Sequence, residues 1–218
     1  MSEIELVPCD AAAIGRAVEA LSEGRLILHP TETVVSLSGD PGNPAAVGRA
    51  RRIKGYDESR PFLCLVPGTE AARGLAAEWP PAAEALAGWL WPGPLTLIVE
   101  AGPRAPGPVS AGRAIALRPA ADDVTSKLLG AWGGPLFSTS ANRRGEPPPS
   151  RIGDAVRRLA DAPGAEAIAL ALAPAVGEEG MPAGEPSTIV DVRGGAPRIV
   201  RAGAVSAERL RGILPGIR

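Results

Sequence analysis

With 218 residues and a formal net charge of −1, the chain is long enough to bury a core without disulfide or metal support. Its charge is too balanced for a general polyanion binder, which needs many uncompensated cations. Apolar residues make up 45% and aromatics only 3%, so the core must be aliphatic. The N-terminus MSEIELVPCD has neither a basic nor an apolar leader segment, and no apolar run is long enough for a bilayer. The expectation is one domain over residues 1–218, cytoplasmic, with no membrane span. Cys9 and Cys64 have no metal or CxxC spacing and read as buried free thiols.

In chain order, residues 4–7 read as a strand. Asp10 caps a helix whose apolar positions Ile14, Ala17, Val18 and Leu21 have helical spacing, with Gly24 as its stop. A strand over 25–30 ends at a proline, and TETVVSLSGD leads to a turn at 40–44. A helix follows over 45–54, then a buried strand over 62–66 and helices near 69–77 and 81–90. Strands over 95–101 and 114–118 flank a Pro/Gly-rich loop. A helix over 122–129 precedes PLFSTSAN, a strand running into a polar loop. A helix over 151–161, strands over 167–173, 187–192 and 198–202, and a helix over 206–213 complete the chain. Strands and helices interleave without strict βαβ order. The fold class is therefore α/β: an open, twisted mixed sheet with flanking helices.

Phosphate-loop, dinucleotide-fold, zinc-protease and nucleophile-elbow motifs are absent. The single histidine, His29, lies in a strand and reads as a packing residue. Chemistry-bearing side chains instead gather at strand ends. Thr31 and Thr33 share one face if the segment stays extended, with a solvated Glu32 between them. Ser138, Thr139, Ser140 and Asn142 follow an apolar strand directly. Lys54 is one of only two lysines beside 21 arginines. With Arg51, Arg52 and Arg60 it suits phosphate oxygens, or simply forms a solvated helix face. Arg118 closes an apolar strand, where its guanidinium could clamp a carboxylate, and Arg201 lies inside RIVRAG.

The ordered segments PTETVVSLS, IKGYDESRPFLCLV, WPGPLTLIV, AIALRPA, PLFSTSAN, PSTIVDV and RIVRAG resemble the YrdC-like family. The likeness runs from about residue 10 to residue 204, and the last motifs in that order are quite specific together. It implies a concave basic cleft in the open sheet. The implied activity is threonylcarbamoyl-AMP synthesis from L-threonine, bicarbonate and ATP with Mg²⁺, a nucleotidyl transfer that serves threonylcarbamoylation of adenosine 37 in tRNA with partner proteins. The resemblance places Thr31 or Thr33, Arg118 and Ser138 at the threonine. It places Lys54, Ser140, Asn142 and Arg201 at the ATP.

Several positions depart from the family pattern. Val35 stands for a tyrosine, and Ser36 and Ser38 for glycines. Lys54-Gly55-Tyr56 replaces Lys-x-Arg, and Arg60 falls where asparagine is frequent. One reading has Arg60 supplying the missing guanidinium in catalysis with Lys54, while Tyr56 stacks on adenine. The alternative is a paralogue that binds a nucleotide or double-stranded RNA without this turnover, or that uses another carbamoyl or acyl substrate.

Overall fold

The computed structural model describes residues 4–57, 61–110, 113–174 and 185–218. Among them, ten strands form one sheet. They are β1 (Glu5–Pro8), β2 (Leu26–His29), β3 (Ser36–Gly39), β4 (Leu63–Val66), β5 (Leu95–Glu100), β6 (Ala114–Pro119), β7 (Leu136–Ser140), β8 (Ile168–Ala173), β9 (Thr188–Asp191) and β10 (Arg198–Arg201). The helices are α1 (Ala11–Ser22), α2 (Pro44–Lys54), α3 (Thr69–Leu75), α4 (Pro81–Leu90), α5 (Asp123–Trp132), α6 (Ile152–Leu159) and α7 (Ala207–Ile213). The strand order is β1-β8-β2-β3-β7-β4-β6-β5-β9-β10, with parallel pairs β1–β8, β8–β2, β4–β6 and β5–β9 among antiparallel ones. This is the mixed α/β sheet expected from the order of elements. None of the helices among the described residues is long and apolar enough to cross a membrane.

Local chemistry sets the helix ends. Asp10 Oδ1 accepts from Ala13 N at 2.8 Å, and Asp122 Oδ1 from Thr125 N at 2.8 Å, which satisfies donors the first turn leaves open. Asn43 does the same for α2, with Pro44 at the first helical position. Gly55 at φ 66° then ends α2 in the left-handed region that a side chain disfavours.

The two faces of the sheet are covered unequally, and this creates the site. Leu26, Leu28, Leu37, Cys64, Val66, Leu95, Leu97, Ile115, Leu117 and Val190 point to one face, where α2, α3, α4, α6 and α7 bury them. The alternate residues point to the other face. There α1 and α5 cover only Val7, Ile27, Leu65, Leu136, Leu170 and Leu172. Neither helix contributes to the walls of the cleft over β7, β4, β6, β5 and β9, which those strands line with the hydroxyls of β7 and Arg118 beside the apolar Leu63, Ala116, Ile98 and Ile189.

Cys64 lies at the centre of the covered face, and burial pushes its thiol up to about 12. The thiolate is the nucleophile, so Cys64 is expected to resist iodoacetamide at pH 8 in the folded protein and to react in denaturant. Mass spectrometry should therefore show adducts on Cys9 alone before unfolding.

The far wall depends on one close approach. Thr188 Oγ1 donates to Val205 O at 2.7 Å and accepts from Val205 N at 3.0 Å, tying β9 to the segment after β10. A Cβ on Gly203 would lie 2.0 Å from Pro186 O and 2.8 Å from the Ser187 carbonyl carbon. Backbone atoms cannot yield as a side-chain tip can. Gly203→Ala is expected to cost about 2–3 kcal/mol of stability, at the upper end of overpacking, and to displace Ser187 and Arg201. Thermal denaturation together with nucleotide affinity checks both parts.

Candidate active site

The open part of the sheet forms a cleft of about 480 Å³, within the roughly 300–1,000 Å³ common for small-molecule sites. Its lining includes Thr31, Thr33, Arg118 and Ser138 as one group, and Tyr56, Ser140, Ser187 and Arg201 besides.

Thr31 and Thr33 are brought together by a turn, not by an extended strand. Thr31 Oγ1 accepts from Thr33 N and Val34 N, each at 3.2 Å, and donates to Val34 O at 2.7 Å. A hydroxyl folded back on its own backbone is the usual way a threonine stabilises such a turn. The two hydroxyl oxygens end 3.0 Å apart. Strand β3 begins only at Ser36.

Arg118 ends β6 and projects into this turn. Its side chain is 3% exposed, and it donates from Nη1 to Thr33 Oγ1 at 2.9 Å. Glu32 is not solvated, contrary to the reading of the sequence. Its side chain is 13% exposed, with Oε1 3.3 Å from Arg118 Nε. The turn at 31–34 folds it onto the arginine, a long-range contact that strand alternation could not show. The contact is poorly aligned: neither Glu32 oxygen nor Arg118 Nε completes a hydrogen bond. Burial pushes the Glu32 carboxyl above the usual carboxylate range; Arg118 opposes this and Asp122 reinforces it. Burial also lowers Arg118, opposed by Glu32 and Asp122, yet a guanidinium stays charged. The arginine is thus a buried cation with unused donor capacity, facing a cleft.

Elsewhere in the lining, Arg201 donates from Nη2 to Ser187 O at 2.7 Å and to Ser187 Oγ at 3.1 Å. Ser187 Oγ in turn contacts Thr96 Oγ1 at 2.8 Å, so the guanidinium rests on a fixed ledge. Tyr56 lies beside Phe62, with ring centroids 6.2 Å apart, and Phe62 stacks on Phe137 at 5.1 Å.

The Sua5/YciO/YrdC family model, described as telomere recombination, matches residues 19–203. The chain belongs to this family. Among Sua5/YciO/YrdC relatives, it is 35% identical to the threonylcarbamoyl-AMP synthase of Alkalilimnicola ehrlichii, over 72% of this chain and 80% of that protein. It is 33% identical to a putative threonylcarbamoyl-AMP synthase of Mycobacterium tuberculosis, over 91% of this chain and 87% of that one. The structure of P. abyssi Sua5 complexed with L-threonine superposes with a TM-score of 0.85 at 27% identity. That match covers 98% of this chain but 61% of the Sua5 chain. E. coli YciO shares the fold, with a TM-score of 0.80 at 22% identity over 96% of this chain and all of that one.

Of the residues singled out from the sequence, Thr31, Thr33, Tyr56, Arg118, Ser138, Ser140 and Arg201 all line this one cleft. Lys54 and Asn142 stand behind its wall. Lys54 is completely buried, and its Nζ donates to Ser140 O at 2.5 Å, Ser140 Oγ at 3.3 Å, Asn142 Oδ1 at 3.2 Å and the Asn142 carbonyl. Asn142 Nδ2 closes the loop by donating to Arg143 O at 2.9 Å and Glu146 O at 2.7 Å. Arg60 lies outside the described residues. Val35 points into the covered core at 3% exposure, so the residue standing for the family's tyrosine packs and does not line the cleft. Sequence reasoning missed Pro186, Ser187, Phe62, Ile98 and Ala116 as lining residues. The Ser in PSTIVD carried a signal, since it breaks an apolar strand; the others read as ordinary strand or turn residues.

Proposed function

We propose that the chain is a threonylcarbamoyl-AMP synthase. The observation that carries this reading is the buried, half-satisfied Arg118 beside the Thr31–Thr33 hydroxyls, in a cleft whose lining also includes Arg201 and Tyr56. A carboxylate fits beside Arg118, since a guanidinium fork matches two carboxylate oxygens and the thread of hydroxyls supplies further partners. A nucleotide fits the rest of the lining, with Tyr56 against the base, and Ser140 and Arg201 toward the phosphates.

The chemistry has two steps. The amine of L-threonine attacks bicarbonate, with loss of water, to give the N-carboxylate. An oxygen of that carboxylate then attacks the α-phosphorus of ATP, forming the mixed anhydride and releasing pyrophosphate. Neither step needs a nucleophilic side chain. The protein's part is to hold the carbamate in line with the phosphorus and offset charge on the leaving group. Arg118 and the threonine hydroxyls anchor the amino acid, and Ser138 lies beside its nitrogen. Lys54 and Asn142 act through the loop that presents Ser140. Arg60 is assigned to the leaving pyrophosphate, as the guanidinium that replaces the one absent at Tyr56. No group of three or more His, Cys, Asp or Glu side chains is placed to hold a metal among the described residues. Mg²⁺ therefore enters as the counter-ion of the nucleotide substrate. The product would pass, through partner proteins in the cytoplasm, to adenosine 37 of tRNA.

The test is pyrophosphate release by purified protein with ATP, Mg²⁺, bicarbonate and L-threonine, each omitted in turn. Release that requires all of bicarbonate, threonine and ATP is the expected result. Release independent of threonine, or none at all, would overturn the reading.

A further inference from the structure

Beneath the cleft lining at Ser138 runs a buried row of hydrogen-bonding groups that the mechanism above does not use. His29 ends β2 and is completely buried. Its Nδ1 lies 2.9 Å from the Pro30 carbonyl, an atom that can only accept, so Nδ1 carries the proton. Nε2 is then an acceptor, and Ser38 Oγ at 2.8 Å must donate to it. Ser38 has only one proton. Its contact with Ser36 Oγ at 3.0 Å is therefore attractive only if Ser36 donates. Ser36 likewise has one proton, whether it goes to Ser38 or to the more distant Thr139 carbonyl at 3.4 Å. The remaining contact, Ser36 Oγ to Ser138 Oγ at 2.6 Å, must then take its proton from Ser138. Ser138 is the member that lines the cleft. Its proton points inward, and its lone pairs face the ligand.

We infer that His29, Ser38 and Ser36 are positioning residues that fix the Ser138 hydroxyl as a hydrogen-bond acceptor for an N–H of the bound amino acid. The inference rests on the synthase reading, which places the substrate amine at Ser138. The direction of the row is reversible. A proton on His29 Nε2 would make it donate to Ser38, turn every hydroxyl over, and present the Ser138 proton to the substrate nitrogen. The groups facing the imidazole are Thr125 of α5 at 3.2 Å, Asp122 at the α5 N-cap and Arg118 of β6. Burial lowers the histidine below its ordinary range, with Asp122 opposing and Arg118 assisting. The neutral, acceptor-presenting state therefore holds at and above neutral pH.

The experiment measures threonine KM, ATP KM and kcat by pyrophosphate release from pH 5 to 8.5, for the wild type and for Ser36→Ala, Ser38→Ala and Ser138→Ala. Ser36→Ala and Ser38→Ala are expected to raise threonine KM about three- to tenfold at pH 7.5, the worth of one oriented hydrogen bond, with ATP KM unchanged. Ser36→Ala combined with Ser138→Ala should be no worse than Ser138→Ala alone, because residues of one network are not additive. In the wild type, threonine KM should climb as pH falls below the ordinary histidine range. Ser38→Ala should lose that part of the climb and keep any part due to Glu32 or Asp122. Additive effects, ATP KM rising with threonine KM, or superimposable pH profiles would overturn the relay. A wild type without threonine-dependent release would overturn the synthase reading and this inference with it; an active wild type with unaffected variants overturns the relay alone.

Discussion

Arg118→Ala is expected to lower kcat/KM for threonine by roughly 30- to 150-fold, about 2–3 kcal/mol of lost charge-assisted contact, while ATP binding is retained. Two losses combine. The substrate carboxylate loses its only buried cation among the described residues that line the cleft. The Glu32 carboxyl, already above its usual range and without a completed hydrogen bond, loses the group that opposes its protonation. Removing one member of a buried pair commonly costs about 3–5 kcal/mol of stability; the poor Nε–Oε1 alignment at 3.3 Å places this one at the low end. Arg118→Lys separates charge from shape. It should fold nearly as well as the wild type yet recover only part of the activity, because a point charge lacks the fork that meets both carboxylate oxygens. Kinetics with threonine varied at saturating ATP, beside thermal denaturation of both variants, measure the two effects. An Arg118→Ala enzyme with unchanged threonine kinetics would remove Arg118 from the site.

Lys54→Met is the second large effect. The side chain keeps nearly the same length and bulk, but the Ser140 and Asn142 carbonyls and Asn142 Oδ1 lose a common charged donor in a buried setting. Each acceptor left unsatisfied costs about 1–3 kcal/mol, and local water can rescue some of them. A net loss of about 3 kcal/mol is expected, or about 6–12 °C in Tm for a chain of this size. Pyrophosphate release should fall at 20 °C, where the variant is still folded, because the end of β7 that carries Ser138 and Ser140 is no longer held. Lys54→Ala adds a cavity and should be worse. The pattern distinguishes two roles. A lysine that only touched phosphate would leave Tm unchanged in the methionine variant and weaken ATP binding alone. A lysine that builds the loop lowers Tm and also disturbs threonine kinetics, through Ser138.

Much of the architecture was legible in the residue order. Asp10 caps the helix it was read to cap, and apolar runs such as FLCLV and AIALR are central strands, because local hydrogen-bond needs and short-period burial are properties of neighbouring residues. Family motifs likewise placed seven side chains in one cleft. What those motifs could not show is where charges and protons end up. Glu32 was read as solvated and is packed against Arg118, 86 positions away in the chain. Lys54 was read as facing ATP, and its ammonium donates to the Ser140 and Asn142 carbonyls behind the cleft wall, contacts the motifs did not show. His29 was read as a packing residue, Ser36 and Ser38 as departures from family glycines and Ser138 as a threonine contact; the pairing of β2, β3 and β7 sets all four in one row. Sequence alone determined the helices, the strands, the family and seven of the cleft residues, since these follow from local pattern and shared motifs. Only the tertiary structure decided which of those residues stand open to the cleft and which are packed behind its wall, because that depends on strand register and burial between segments far apart in the chain.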